Sequence, residues 1–338
     1  TGVTAEDRES GASFDVTARV VVNAGGVWAA EIQQLAGANT FTVAPAKGVH
    51  LLVRNEAFES TTGVLARAED SVIVLRKWYG HWLLGTTDTP YEGDKANPTV
   101  NGEDVEYLLR NVNVLLRRKI GRADLLGTYA GLRPLLAPAG PGSATTTSAL
   151  SRDHAVIEGP EGMVTIVGGK YTTYRIMARD AVDAAARPLG RALPSTPTAD
   201  LPLVGAAGWR VVANQLPRLC AEYGVPEPTL RRMLHRYGDE LPAVLAPISG
   251  DAGLGRPIDG TAGYLPVEFL RAVTHEGAST LDDVLTRRTH VAIEDPCAGA
   301  GAADEVARLI APALGWNAAR QKEEVADYDA RPRLATLV

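Results

Sequence analysis

Short apolar runs cut by turn residues fill the first half of the chain, and longer runs of helical period fill the second. Over residues 18–22, 48–53, 71–75, 81–85 and 163–167, β-branched and other apolar residues cluster between Gly, Pro, Asn and Asp, which predicts strands. Two stretches of this half instead repeat apolar positions at three and four residues. Residues 103–120 carry Val105, Leu108, Leu109, Val112, Leu115 and Leu116, residues 174–189 are rich in alanine, and both predict helices. Beyond residue 208 the helical period dominates, over 211–223, 229–237, 266–276, 281–288 and one long helix at 304–328. In that last helix Val306, Leu309, Ile310, Leu314 and Trp316 are expected to face a bundle core.

Pro188, Pro194, Pro197 and Pro202, set among Ser, Thr and Gly, predict an extended connector and place a boundary over residues 191–208. The pattern therefore predicts an α+β or α/β domain with a mixed sheet over 1–190, followed by a small all-helical domain over 209–338. Residues 138–148 and 298–303, rich in Gly, Ala, Ser and Thr, read as loops. No segment has the run of about 18 apolar residues that a membrane-spanning helix needs. The chain opens at Thr1 with a polar stretch lacking the basic-then-apolar pattern of a signal peptide, so a chain cut from a longer one is expected.

Composition narrows the classes further. At 338 residues, 45% hydrophobic and 22% charged, the chain is long enough for two domains with their own cores. Its 34 basic and 40 acidic residues are interspersed and leave a net charge of −6, which argues against a nucleic-acid binder. Cys220 and Cys297 form no Cys-x-x-Cys, and no His stands at metal-ligand spacing. Neither a disulfide framework nor a metal site is indicated, and an intracellular location is expected.

Three groups of residues carry candidate chemistry. In Val21-Val22-Asn23-Ala24-Gly25-Gly26-Val27-Trp28 a strand runs through a small turn into a helix, so backbone N–H groups can approach a phosphate; an ordinary tight turn reads the same way. Gly168-Gly169-Lys170-Tyr171-Thr172-Thr173-Tyr174-Arg175 also follows a strand and opens a helix. Two glycines admit a flat ligand, and Lys170 adds positive charge where a reduced flavin collects its negative charge; a plain glycine turn with a solvated lysine is the other reading. The third group is the basic residues Arg133, Arg152 and His50, read as lying on loops. Two arginine forks converging near Lys170 would hold a small phosphorylated substrate, whereas each alone is more commonly a surface ion-pair member.

These motifs, with Lys47-Gly48-Val49-His50, Gly85-Thr86-Thr87-Asp88-Thr89-Pro90, Tyr129-Ala130-Gly131-Leu132-Arg133-Pro134-Leu135 and Ser151-Arg152-Asp153-His154 in the same order, resemble the FAD-dependent glycerol-3-phosphate dehydrogenases, proteins of the D-amino-acid-oxidase-like superfamily. The likeness runs over residues 19–179, and the helical tail with Leu285-Thr286-Arg287-Arg288-Thr289 resembles that family's C-terminal domain. Two departures stand out. The family's G-x-G-x-x-G turn for the ADP half of FAD is absent from this chain, and Val27 stands where the family usually has proline.

The resemblance implies roles for particular residues. Arg133 would hold the substrate phosphate with Arg152, and Lys170 would lie beside flavin and substrate. His50 would line the site as a candidate base, and Thr87 would lie near the substrate. Asn23, Ala24 and Gly25 would lie near the FAD diphosphate, and Gly168, Gly169, Lys170, Thr172 and Thr173 along the flavin edge. The implied reaction takes the C2 hydrogen of sn-glycerol 3-phosphate as hydride to FAD N5 and releases dihydroxyacetone phosphate. Electrons would go to a quinone, from a cytoplasmic homo-oligomer attached peripherally to the inner face of the membrane. An oxidase passing electrons to oxygen, a flavin amine oxidase for glycine or sarcosine, and a non-catalytic fragment serving substrate-domain and dimer contacts are the alternatives. An amino-acid carboxylate needs one arginine, and the group Arg133, Arg152 and Lys170 suits a doubly charged phosphate better. Without the glycine-rich turn, this stretch alone is expected to bind FAD weakly and to be inactive. The helical domain, with no redox or metal group in view, is expected to be structural.

Overall fold

A computed structural model describes residues 1–69, 72–138 and 153–331. Strands β1 (Gly2–Glu6) and β2 (Ser13–Thr17) form an antiparallel hairpin. β3 (Val21–Asn23) runs through a single 3-10 turn into α1 (Ala29–Leu35). There follow β4 (Phe41–Val53), β5 (Val64–Arg67), β6 (Val72–Trp78), β7 (His81–Gly85) and the short β8 (Thr89–Pro90). Helix α2 (Gly102–Asn113), β9 (Leu125–Pro138), β10 (His154–Glu158), β11 (Met163–Gly168) and α3 (Tyr174–Ala186) complete the mixed part. The remainder is helical: α4 (Trp209–Tyr223), α5 (Glu227–Tyr237), α6 (Leu241–Leu245), α7 (Pro266–Thr274), α8 (Val291–Glu294), α9 (Ala303–Leu314) and α10 (Ala318–Asp329).

The chain divides into two compact units, each built from several segments. The first comprises Thr1–Val49, Thr87–Pro98 and Ala130–Leu201. Its sheet has the order β10-β11-β3, with β10 antiparallel to β11 and β3 parallel to it, Thr165 opposite Asn23. α1 and α3 pack on β11. Ala29, Phe41 and Val167 centre a small core that Val43, Leu136, Ala155 and Ile157 surround. Because β3 and β11 are parallel, the turns after them leave the same end of the sheet, the carboxyl end where ligands of such sheets bind.

The second unit comprises His50–Thr86, Thr99–Tyr129 and Pro202–Val338. Its antiparallel strands β5, β6, β7 and the last residues of β4 bury Leu51, Leu52, Val53, Ile73, Leu75 and Leu84. α2 packs on β6 and is capped reciprocally by Asn101 and Asp104. The helices bury two cores, one around Leu216, Leu230, Met233 and Leu241, the other around Phe269, Leu281, Val306 and Ile310.

Two predicted helices are shorter than their periodicity. Residues 103–120 stop at Asn113, whose side chain bonds both the N–H and the carbonyl of Ile120 at 2.8 Å and turns the chain back. Leu116 and Ile120 are still buried, from a loop, so the apolar period outlasts the helix. The long 304–328 helix is two: Gly315 takes the left-handed conformation (φ +68°) and ends α9, and the Asn317 side chain caps α10 by accepting from Arg320 N–H at 2.8 Å. Residues 191–208 hold a single 3-10 turn, Pro197–Ala199, and no helix or strand besides it. The loop read over 138–148 falls beyond the described residues after Pro138.

Gly127 of β9 lies against the backbone near α8: a Cβ there would stand 2.2 Å from the Ile293 carbonyl oxygen. Backbone cannot yield as a side-chain tip can. Gly127→Ala is therefore expected to lower unfolding free energy by about 1–3 kcal/mol, read as a lowered urea midpoint; an unchanged midpoint would contradict this close approach.

Candidate active site

At the end of β3 the buried Asn23 organises the turn. Its Nδ2 donates to the Ala29 carbonyl at 2.9 Å and to Thr165 Oγ1 at 3.3 Å, and its Oδ1 accepts from Gly25 N–H at 3.1 Å. One amide thereby ties the strand end, the start of α1 and the neighbouring strand together. Asn23 thus positions Ala24 and Gly25, and its own polar atoms are spent inside the protein. A Cβ at Gly25 would meet Ile32 Cδ1 at 2.4 Å, so any larger residue there would have to displace the Ile32 side chain.

The second turn, after β11, has Gly168 and Gly169 both left-handed, at φ +76° and +78°. A Cβ at 168 would lie 2.7 Å from the Asp153 carbonyl oxygen, and one at 169 would lie 2.4 Å from Met177 Sδ. Thr173 closes the turn: its hydroxyl donates to the Lys170 carbonyl at 2.9 Å and accepts from Lys170 N–H at 3.2 Å. Lys170, Tyr171, Thr172 and Thr173 are exposed, and among the described residues the Lys170 ammonium has no carboxylate partner. A bare backbone turn beside an exposed cation suits the electron-rich edge of a flavin, so these residues fit that group.

Arg133 and His50, read as loop residues, stand on strands. Arg133 lies in β9 with its guanidinium against Gly48 of β4, where a Cβ would be 2.5 Å from Nη2. Its Nη1 donates to the Thr87 carbonyl at 3.1 Å and to Asp88 Oδ1 at 3.3 Å. The buried Thr87 hydroxyl in turn accepts from Val49 N–H at 3.0 Å and donates to the Lys47 carbonyl at 3.1 Å. Thr87 therefore holds the strand and the arginine through two different atoms. Asp88, almost fully covered, offsets part of the guanidinium charge.

His50, on β4, lies over Gly85 of β7 and stacks on Tyr129, ring centroids 4.9 Å apart and planes within 6°. Burial pushes the Tyr129 hydroxyl above its ordinary range, so it remains a protonated donor. The structure thus brings Arg133 together with Thr87, and Asn23 into line with the strand that ends at Gly168. Arg152 lies outside the described residues. Gly48, Asp88 in its pairing with Arg133, and the Tyr129 stack are not evident from the sequence; a glycine inside a strand, as at Gly48, is the signal of close approach that was there to find.

In the second unit a buried polar network joins α5, α7 and α8. Arg232 Nη2 donates to Glu268 Oε2 at 2.7 Å, and Tyr264 donates to Glu294 Oε1 at 3.3 Å. His290 Nδ1 stands 3.4 Å from Arg236 Nη1 and 3.9 Å from Glu294 Oε1. Burial raises Glu294 to about 7 against the pull of Arg232, and burial together with Arg236 lowers His290 to about 4. An ion pair would shift both the other way, so desolvation wins, and at neutrality this is a partly protonated acid beside a neutral imidazole.

Comparison with known proteins gives one consistent answer. Residues 1–175 match the family described as FAD dependent oxidoreductase, and residues 196–321 match the C-terminal domain of alpha-glycerophosphate oxidase. The chain is 43% identical over 337 residues to glycerol-3-phosphate dehydrogenase 2 of Mycobacterium tuberculosis, covering 99% of this chain and 57% of that protein. It is 32% identical to a mitochondrial glycerol-3-phosphate dehydrogenase of Arabidopsis thaliana, over 94% of this chain and 52% of the relative. The structure of the glycerol-3-phosphate dehydrogenase from Bacillus halodurans complexed with FAD superposes with a TM-score of 0.80 at 26% identity, over 97% of this chain and 64% of that one. The chain thus spans little more than half the length of the curated relatives it matches.

The Glu294 and His290 shifts have opposite signs in pH. Glu294, raised, contributes stability fully present below its ordinary 4.5 and lost as pH climbs to about 7. His290, lowered, contributes stability present above its ordinary 6.5 and lost as pH falls to about 4. Glu294→Gln removes only the first. Its stability relative to the parent should therefore rise between pH 4.5 and 7, by about 2–3 kcal/mol, in urea unfolding across that range. A difference independent of pH would contradict a raised Glu294.

Proposed function

This chain belongs to the FAD-dependent oxidoreductases, among those resembling glycerol-3-phosphate dehydrogenase, and on that premise we propose that the whole protein oxidises sn-glycerol 3-phosphate to dihydroxyacetone phosphate. The observation that carries the reading is Arg133, laid over Gly48 and oriented by Thr87 and Asp88 as a prepared seat for a phosphate. With Asp88 already taking part of its charge, a phosphate dianion needs further cations, the role given to Arg152 and Lys170. Thr87 keeps the arginine in place and lines the substrate end.

When bound, FAD supplies a two-electron acceptor for the C2 hydrogen, taken as hydride at N5, with a quinone as the final acceptor. Gly168, Gly169, Lys170, Thr172 and Thr173 would hold its ring edge, and Asn23, Ala24 and Gly25 would shape the turn at its diphosphate. His50, its ring plane fixed by Tyr129, accepts the C2 hydroxyl proton. The protein would act as a cytoplasmic homo-oligomer, peripheral on the inner face of the membrane, a placement that rests on the family resemblance alone.

In the whole protein, Arg133→Ala is expected to raise KM for sn-glycerol 3-phosphate about 10- to 100-fold, with kcat falling less, in reduction of a quinone analogue. Unchanged kinetics would remove the phosphate role. Hydrogen peroxide formed in step with turnover would make the protein an oxidase, and turnover of glycine or sarcosine with none of the phosphate ester would overturn the substrate class. The 338-residue chain, which carries no G-x-G-x-x-G, is expected to lose FAD on desalting and with it turnover. Stoichiometric flavin retained after that step would contradict this.

A further inference from the structure

The second unit holds a cleft of about 740 Å³ that the dehydrogenase reading does not use, between the β6–β7 turn and α5. One wall carries Arg76, Lys77, Trp78 and Tyr79; the other carries Arg231, Arg232 and His235, and among the described residues no Asp or Glu lines it. The Lys77 ammonium is held by Asn55 and lies over the Trp82 ring, off the cleft, so its charge is spent there. Glu227 pairs with Arg231 and Glu268 with Arg232, so Arg76, Arg231 and Arg232 against two carboxylates leave an excess of one positive charge. That local excess stands out on a chain of net charge −6. Arg232 is built in: its guanidinium lies 4.1 Å over the Tyr264 ring and donates to Glu268 and to the Gly263 carbonyl.

The turn itself is unusual. Trp78 pairs with His81, so Tyr79 and Gly80 form a two-residue hairpin loop, with φ of +46° and +87°. Asn or Gly normally takes the first of these positions, and a tyrosine there is held in a conformation that costs energy. The result is an exposed phenol set edge-on to Trp78, rings 5.0 Å apart, at the mouth of a basic cleft. A residue held in a disfavoured conformation beside a cavity points to a ligand.

We propose that this cleft binds a nucleoside monophosphate, the phosphate dianion between Arg76 and Arg231 and the base against Trp78 and Tyr79. The cleft volume falls in the range of small-molecule sites, roughly 300–1,000 Å³, and Arg76, which no carboxylate in the cleft neutralises, faces Arg231 across it as a second guanidinium for the dianion. Stacking of a planar base on Trp78 and Tyr79 accounts for aromatic residues where a phosphate alone would need only cations.

The test is calorimetric titration of the chain with AMP, ribose 5-phosphate and adenosine at about 0.15 M salt. AMP is expected to saturate the site with a Kd below about 1 mM, and ribose 5-phosphate and adenosine to bind at least about tenfold more weakly. Arg76→Gln and Arg231→Gln, both at exposed positions, are each expected to weaken AMP about tenfold while the melting temperature is unchanged. Absence of saturable AMP binding, AMP binding unaltered in both variants, or ribose 5-phosphate binding as well as AMP would each overturn the proposal.

Discussion

Gly48 has no side chain, and three segments distant in sequence meet there because of it. β4 passes beneath, β9 lays the Arg133 guanidinium on the glycine, and the Thr87-Asp88 turn closes the arrangement. Thr87 makes it rigid, its hydroxyl holding the carbonyl and N–H on either side of Gly48 while its carbonyl orients the arginine. A flexible arginine at the surface gains little from an ion pair and loses entropy in making one. Pinned on a strand, with one nitrogen engaged by a covered carboxylate, it is ordered before any ligand arrives, which is the condition for recognising a phosphate tightly.

Strand runs with turn residues at both ends were legible in the sequence, as were both glycine turns, because each depends on neighbours a few positions away. What depends on partners far along the chain was not. Arg133 reads as a loop residue since Gly131, Pro134 and Tyr129 surround it, yet tertiary pairing draws it into β9; His50, grouped with the loop residues, falls inside the strand predicted over 48–53, and that strand is the reading the structure bears out. The β1–β2 hairpin carries a polar–apolar alternation that was there to read, Val3 with Ala5 and Phe14 with Val16, but the strands are short and almost every residue of them is exposed, so no buried face marks them. Apolar periodicity marks burial rather than helix, and this is why 103–120 and 304–328 were drawn too long. Asn113 in the first case and Gly315 with Asn317 in the second end the helices through side-chain and backbone chemistry that a count of apolar positions ignores.

Desolvation rules the helical region in the way preorganisation rules the Gly48 corner. Glu294 and His290 are near enough to pair, yet burial costs each charge more than the partner returns, and the network is held by Arg232, Glu268 and protonated tyrosines. Burial lifts the Tyr237 and Tyr264 hydroxyls far above their ordinary range, so both remain donors to their carboxylates at any pH the protein meets. The family match over residues 196–321 gives this region a counterpart in the C-terminal domain of alpha-glycerophosphate oxidase.

In the proposed function the empty position at Gly48 sets Arg133 to receive phosphate, and Gly48→Ala in the whole protein tests this without touching the arginine. The added methyl would stand 2.5 Å from Nη2, and the far end of a side chain can move aside where backbone cannot, so the fold survives and the guanidinium is displaced. KM for sn-glycerol 3-phosphate is expected to rise at least about tenfold with the flavin absorbance spectrum unchanged. A variant with parental KM and the same spectrum would contradict it.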